Sequence, residues 1–172
     1  MPRRHNVNPE SSSTRRAVHG LTVKHPTAWR VTGSRTIHRL LVLLVVVGLG
    51  ADAYVHWNLA PGFDTLSSTA SPHISQGELF RLEAGLAVIA GLLVILTRHR
   101  FAAMLAFLIA AGGLGAVLLY GYVDVGAFGP LPDMYDPIWY PEKTISVIAE
   151  AVSAVAAICL LLLPHVASES GG

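Results

Sequence analysis

The stretch IHRLLVLLVVVGLGADAYVHW (37–57) decides the fold. From Leu40 to Leu49 it holds no polar residue, so a helix made from it has no face suited to water. A helix that crosses a hydrocarbon layer about 30 Å thick needs about 20 such residues. Three further stretches meet the same condition, at 78–97 (ELFRLEAGLAVIAGLLVILT), 101–123 and 144–163. With 52% hydrophobic and only 13% charged residues, the remaining chain is too short for a substantial soluble domain. The sequence therefore predicts an all-α fold, an antiparallel four-helix transmembrane bundle over 37–164. A disordered basic cytoplasmic tail is expected at 1–36 and a short cytoplasmic tail at 165–172.

Orientation follows from where Lys and Arg lie, because cytoplasmic flanks retain them. Arg3, Arg4, Arg15, Arg16, Lys24, Arg30, Arg35 and Arg39 stand at the start of the chain, opposed by Glu10 alone. Arg98 and Arg100, between the second and third apolar runs, fall on the same side. The segment 58–77 has no Lys or Arg, and 124–143 has one against four acids. Both termini are thus expected in the cytoplasm of a multi-pass plasma-membrane protein. Tyr54, Trp57, Tyr120, Tyr122, Tyr135, Trp139 and Tyr140 mark the outer interface, where amphipathic rings settle.

The first 36 residues are rich in Ser, Thr, Arg, Pro and His, a composition that does not bury a core. The first apolar run begins late and is long, which fits an uncleaved anchor rather than a secretory signal peptide. Basic residues near a bilayer are attracted to anionic lipid at about 1 kcal/mol each. The expected partners are therefore the lipid bilayer, with anionic lipid along the N-terminal tail, and not nucleic acid.

Inside lipid, water does not drive helices together, so association depends on small residues that let backbones approach. Gly112, Gly113, Gly115 and Ala116 in the third run, Ala87 and Gly91 in the second, Gly48 in the first, and Ala149, Ser153 and Ala157 in the fourth predict the packed faces. The short link at 98–100 predicts that the second and third helices are neighbours.

The chemical content lies in the ionisable residues of the outer halves. Asp52 and His56 are four apart and share a face with Gly48. Glu83 sits five residues inside Glu78, about 8 Å at 1.5 Å per residue, on the stripe of Ala87 and Gly91. Ser146, Glu150, Ser153 and Ala157 form a polar and small stripe expected to face the other helices. Tyr120 and Asp124 extend the Gly112 and Ala116 face outward. Asp52, His56, Arg81, Glu83, Tyr120, Asp124 and Glu150 are accordingly the candidate ligand-binding residues. Charged groups within a bilayer cost about 2.5–3.5 kcal/mol at its centre, so they face protein or water. In one reading these residues line a pocket open to the outside that binds a proton, a cation or a small polar ligand. In the other, Arg81 neutralises Glu83 or Glu150 and the rest reach interfacial water or cap helix ends.

No cofactor and no metal site is expected. Carboxylates with a His suit a divalent ion, yet the Glu-x-x-His pair of carboxylate-bridged bundles is absent. His56 has no second His at equal depth to complete a bis-His haem site. Cys159 is alone and reads as a small core residue. Enzymatic chemistry ranks low, since neither a nucleophile–base pair nor a phosphate-binding loop is visible.

Between the second pair of helices, the loop carries four prolines, two Tyr and a Trp and is expected to form a structured lid, whereas 58–77 is Ser-, Thr- and Gly-rich and expected to be irregular. Pro141 suits the first position of the last helix, with Glu142 beside it favourable to the helix dipole. The segment GPLPDMYDPIWYPEK (129–143), followed by Glu150 and combined with Tyr54, His56 and Trp57, resembles uncharacterised four-span membrane proteins of actinobacteria over about residues 38–164. That resemblance implies the fold and a plasma-membrane location, and no activity. Two other functions remain beside ligand binding: an accessory or scaffold subunit of a larger membrane complex, and a small transporter working as a homo-oligomer.

Overall fold

The computed structural model describes residues 28–65, 74–97 and 99–163. Among them are four α-helices and no strand: α1 Ala28–Leu59, α2 Gln76–Leu96, α3 Arg100–Tyr122 and α4 Pro141–Leu162, with a 3₁₀ turn at Ala60–Phe63 after α1. All four helices are long and apolar enough to cross a membrane. The expected tail at 165–172, and that at 1–36 as far as residue 27, lie outside the described residues.

The helix limits differ from expectation where local chemistry outweighs hydropathy. Residues 28–36 continue α1 although five of the nine are Arg, Ser or Thr, because adding residues to a formed helix costs far less than starting one. A capping box starts α2 at Gln76. The Ser75 hydroxyl accepts the Glu78 N–H at 3.1 Å, and the Glu78 carboxylate accepts the Ser75 N–H at 2.8 Å. Pro141 opens α4 as expected, after Tyr140 in an extended conformation.

The helices pack in a ring. α1 lies against α2 and α4, α3 lies against α2 and α4, and α1 barely meets α3. The interior is built from small residues at spacings of three and four: Ala84, Ala87, Ala90 and Gly91 on α2, Ala102, Ala103, Ala106 and Ala110 on α3, and Ala149, Ser153, Ala154, Ala156 and Ala157 on α4. Larger side chains such as Leu82, Ile89, Leu92, Leu108, Ile148 and Val155 point outward. A bundle in water would invert that arrangement, whereas lipid solvates outward Leu and Ile and leaves small residues to set helix spacing. α1 and α4 approach closely at Gly48. A Cβ there would overlap the Ser153 hydroxyl and come within 2.8 Å of the Ala149 carbonyl oxygen.

The expected packed face of α3 needs correction. Gly112, Gly115 and Ala116 are exposed, and the inward stripe instead runs through Ala103, Ala106, Ala110 and Gly113 to Gly121. At 100° per residue, Gly112 sits roughly 200° around from Ala110, which the cluster of glycines in the sequence conceals.

Candidate functional site

One end of the ring is covered by the loop 123–140, which follows α3 and leads into α4. Gly126 and Gly129 adopt positive φ of 69° and 57°, conformations that glycine reaches without strain, and so fold the loop back. Phe128 and Leu131 pair across that turn at 3.2 and 3.0 Å. The Ile74 N–H donates to the Pro130 carbonyl at 3.2 Å, and the Asp136 N–H donates to the Tyr120 carbonyl at 3.0 Å. Lys143, buried at the start of α4, holds the loop's end. Its ammonium donates to the carbonyl oxygens of Asp136 and Ile138, pairs with the Asp136 carboxylate at 3.4 Å, and lies 5.5 Å from the Trp139 ring centre. The aromatic lid is therefore fastened to three of the four helices or their immediate flanks. Tyr140 completes the anchor: burial first, and then the Asp136 carboxylate, push its phenol up to about 12.

Beneath the loop is a cavity of about 400 Å³ lined by His56, Glu83, Gly113, Tyr120, Lys143 and Ser146. Leu131, Met134 and Asp136 cover it from the loop. Immediately behind its wall lie Asp52 and Glu150, 1% and 0% exposed. The His56 Nδ1–H lies 3.0 Å from Asp52 Oδ1 and 3.1 Å from the Asp52 carbonyl oxygen, and the Ser146 hydroxyl donates to the same carboxylate oxygen. The ring of His56 meets that of Phe80 edge to face at 5.1 Å. Glu150 faces Gly113, where a Cβ would overlap Glu150 Oε1 and stand 3.2 Å from Glu83 Oε1. Glycine at 113 thus makes room for two carboxyl groups between α2, α3 and α4.

These carboxyls are only partly compensated: Asp52 Oδ1 is held by Ser146 and His56, and other oxygens of the cluster are not held. Among the described residues, four buried side-chain polar atoms lack a hydrogen-bond partner: Asp52 Oδ2, Glu83 Oε1, Glu150 Oε1 and Glu150 Oε2. All belong to this one cluster. No Lys or Arg among the described residues pairs with any of the three.

The structure thus brings together Asp52, His56, Glu83 and Glu150, from three helices, with Tyr120 beside them in the cavity wall. It does not bring Arg81 to them. Arg81 turns outward into a two-pronged pair with Asp64 at 2.6 and 2.8 Å, so it neutralises neither Glu83 nor Glu150. That hydrogen-bonded guanidinium holds the Asp64 carboxyl below the usual carboxylate range. Asp124 follows the end of α3, is exposed, and is not among the residues that line the cavity. Sequence reasoning placed Ser146 on the right stripe without giving it a role, and passed over Lys143 as a flanking charge. The lysine had one usable signal: it is the sole cation in 124–143, beside an aromatic run.

No family model, curated protein or solved structure matches the chain.

Proposed function

We propose that this is a multi-pass plasma-membrane protein, with both termini cytoplasmic, that binds a proton, a cation or a small polar ligand at the Asp52–His56–Glu83–Glu150 cluster, reached from outside through the cavity under the loop 123–140. The observation that carries this reading is Glu150, fully buried with both carboxylate oxygens unpartnered and turned towards the other carboxyls. A buried unsatisfied polar group costs about 1–3 kcal/mol, more when charged, so an arrangement that gathers four such atoms serves something other than stability. Basic residues concentrated at the N-terminal end and at 98–100 support the orientation. The likeness of 129–143 to actinobacterial four-span proteins supports the same membrane. In purified protein, thermal stability should shift with added ligand and with pH between about 5 and 9, outside the ranges where Asp64 and Tyr140 titrate, and Glu150→Gln and Glu83→Gln should abolish that shift. Variants that leave both the stability and its dependence on pH and ligand untouched would remove the pocket from consideration.

A scaffold role has its own support. Gly85, Gly112 and Gly115 are exposed with open space where a Cβ would stand, and outward glycines of this kind let a helix of another subunit approach closely. Mass spectrometry after gentle solubilisation tests it, since a defined co-purifying subunit is the expected result. A small oligomeric transporter would use the same cluster, and solute flux in vesicles together with crosslinking to a dimer tests that reading.

A further inference from the structure

We infer that Asp52, His56 and Glu150 form a binding site for one divalent first-row transition-metal ion, with Glu83 offering a fourth ligand from the cavity side. The inference rests on the reading of the cluster as a binding site and names the class of cation that it takes.

Geometry is the first support. One ligand atom each from Asp52, His56 and Glu150 lies within 4.8 Å of the others, and all three residues are buried. Atoms bound to a common ion at about 2.1 Å stand roughly 3–4 Å apart, so small side-chain rotations close the site. Asp52 and His56 are one helical turn apart on α1, and Glu150 comes from the neighbouring α4. The site is therefore set by the α1–α4 contact, where Gly48 also lets the two backbones approach.

The second support is independent of that spacing. A carboxyl removed from water needs a proton or a cation, and Glu150 has no hydrogen-bond partner for either oxygen and no Lys or Arg to pair with among the described residues. Asp52 Oδ2 is buried without a partner as well, while Asp52 Oδ1 is already held by Ser146 and His56. Each of the two deepest carboxylates thus keeps an orphan oxygen beside a His, as a metal ligand would, with Ser146 steadying the other oxygen of Asp52. Ionised Asp52 and Glu150 with a dication sum to zero charge, the arrangement that a low-dielectric interior tolerates best, and Glu83 keeps that sum when its carboxyl carries a proton and ligates through the carbonyl oxygen.

The ligand types select the ion. Carboxylate oxygens with one imidazole nitrogen suit Mn²⁺, Fe²⁺, Co²⁺ or Zn²⁺, whereas Mg²⁺ and Ca²⁺ take oxygen ligands alone. Soft ions such as Cu⁺ need thiolate or thioether, and Cys159 lies nine residues beyond Glu150, about 13.5 Å along α4. His56, Glu83 and Ser146 line the cavity, which supplies the route for a hydrated ion to approach.

The test uses the full-length protein, purified in detergent, stripped with chelator and titrated separately with Mn²⁺, Co²⁺, Zn²⁺, Mg²⁺ and Ca²⁺. Binding is followed by calorimetry, and Co²⁺ also by its visible d–d absorption. One Co²⁺, Mn²⁺ or Zn²⁺ per chain is expected, weakened at least about 100-fold in Asp52→Asn and Glu150→Gln and about 10-fold in Glu83→Gln. Gly113→Ala, which leaves every ligand in place but pushes the Glu150 carboxylate aside, should also weaken binding. Cys159→Ser should bind as the wild type does. Melting curves of the stripped variants establish that each is folded. Binding that survives both Asp52→Asn and Glu150→Gln overturns the inference, as does binding of Mg²⁺ or Ca²⁺ alone. Absence of any metal binding, with the pH-dependent stability shift still present and abolished by Glu150→Gln, overturns the metal site and leaves the proton reading standing. Absence of both overturns the two together.

Discussion

The charged residues at the loop end of the bundle divide into a paired rim and an unpaired interior. At the rim, Arg81 grips Asp64 with both nitrogens, and Lys143 is shared between the Asp136 carboxylate and two carbonyls. A short distance inward, Asp52, Glu83 and Glu150 meet His56 and one another, with no Lys or Arg among the described residues. The two cations that could have neutralised the interior are both used elsewhere. Selection for stability alone would reverse this, since an ion pair contributes little at an exposed rim and its absence costs most in a dry interior. The rim holds the loops in place, and the interior carboxyls are left without a Lys or Arg among the described residues.

The largest effect should come from loosening the rim where it is buried. Lys143→Met removes charge-assisted hydrogen bonds to two carbonyls and an ion pair with the Asp136 carboxylate, and should destabilise the folded protein by about 2–3 kcal/mol, read as a lower melting temperature and faster proteolysis within 123–140. Unchanged proteolysis there would show that the lysine does not hold the lid.

An opposite sign is expected inside. Glu150→Met replaces an unsatisfied carboxyl by an apolar group of similar size, and should raise the melting temperature of the chelator-stripped protein by the equivalent of about 1–2 kcal/mol. A lower melting temperature would mean that Glu150 is compensated after all, and the contrast between rim and interior would fail.

A smaller effect appears in alkali. Tyr140 ionises at about 12 in the folded protein but near 10 when unfolded, so between these values the unfolded chain has released a proton that the native one keeps. Stability should fall as pH rises through that window, and the fall should be shallower in Tyr140→Phe. Phenolate absorbance, taken as wild type minus variant, locates the titration directly.

The smallest effect belongs to the exposed pair. Because the Asp64 carboxyl is held below its ordinary range, the stabilisation is complete above about pH 4 and is lost as pH falls through the lowered value. Asp64→Asn should remove that acid dependence and leave the melting temperature at neutral pH almost unchanged. A large loss at neutral pH would show that the Arg81 pair fixes the 3₁₀ turn to α2 rather than merely decorating it.

Different residues of the site were legible to different degrees. Glu150 could be placed on an inward stripe because Ser146, Ser153 and Ala157 share its face of one helix, and a single helix needs no partner to define its faces. The same reasoning misplaced α3, where Gly112, Gly113 and Gly115 crowd three faces and only packing selects Gly113. One of the two readings open to the sequence pairs Arg81 with Glu83 or Glu150, yet its partner is Asp64, 17 residues away beyond a loop. Asp52, His56 and Glu150 are each candidates in the sequence, but their meeting is not legible there: Glu150 stands 98 positions after Asp52, so no motif spans them. The cap of α2 was readable, since Ser75 and Glu78 carry the capping-box spacing, and hydropathy alone obscured it.

The sequence by itself determined that four helices of membrane-crossing length would form and, for α1 and α4, which faces would turn inward, because length, hydropathy and helical periodicity are local properties. Only the tertiary structure decided the ring order, the choice of Gly113 over its neighbours, the diversion of Arg81 and Lys143 to the rim, and the meeting of Asp52, His56 and Glu150. Those depend on how helices far apart in the chain are rotated against one another. That rotation is set by where small residues allow backbones to touch, as at Gly48 against Ala149 and Ser153.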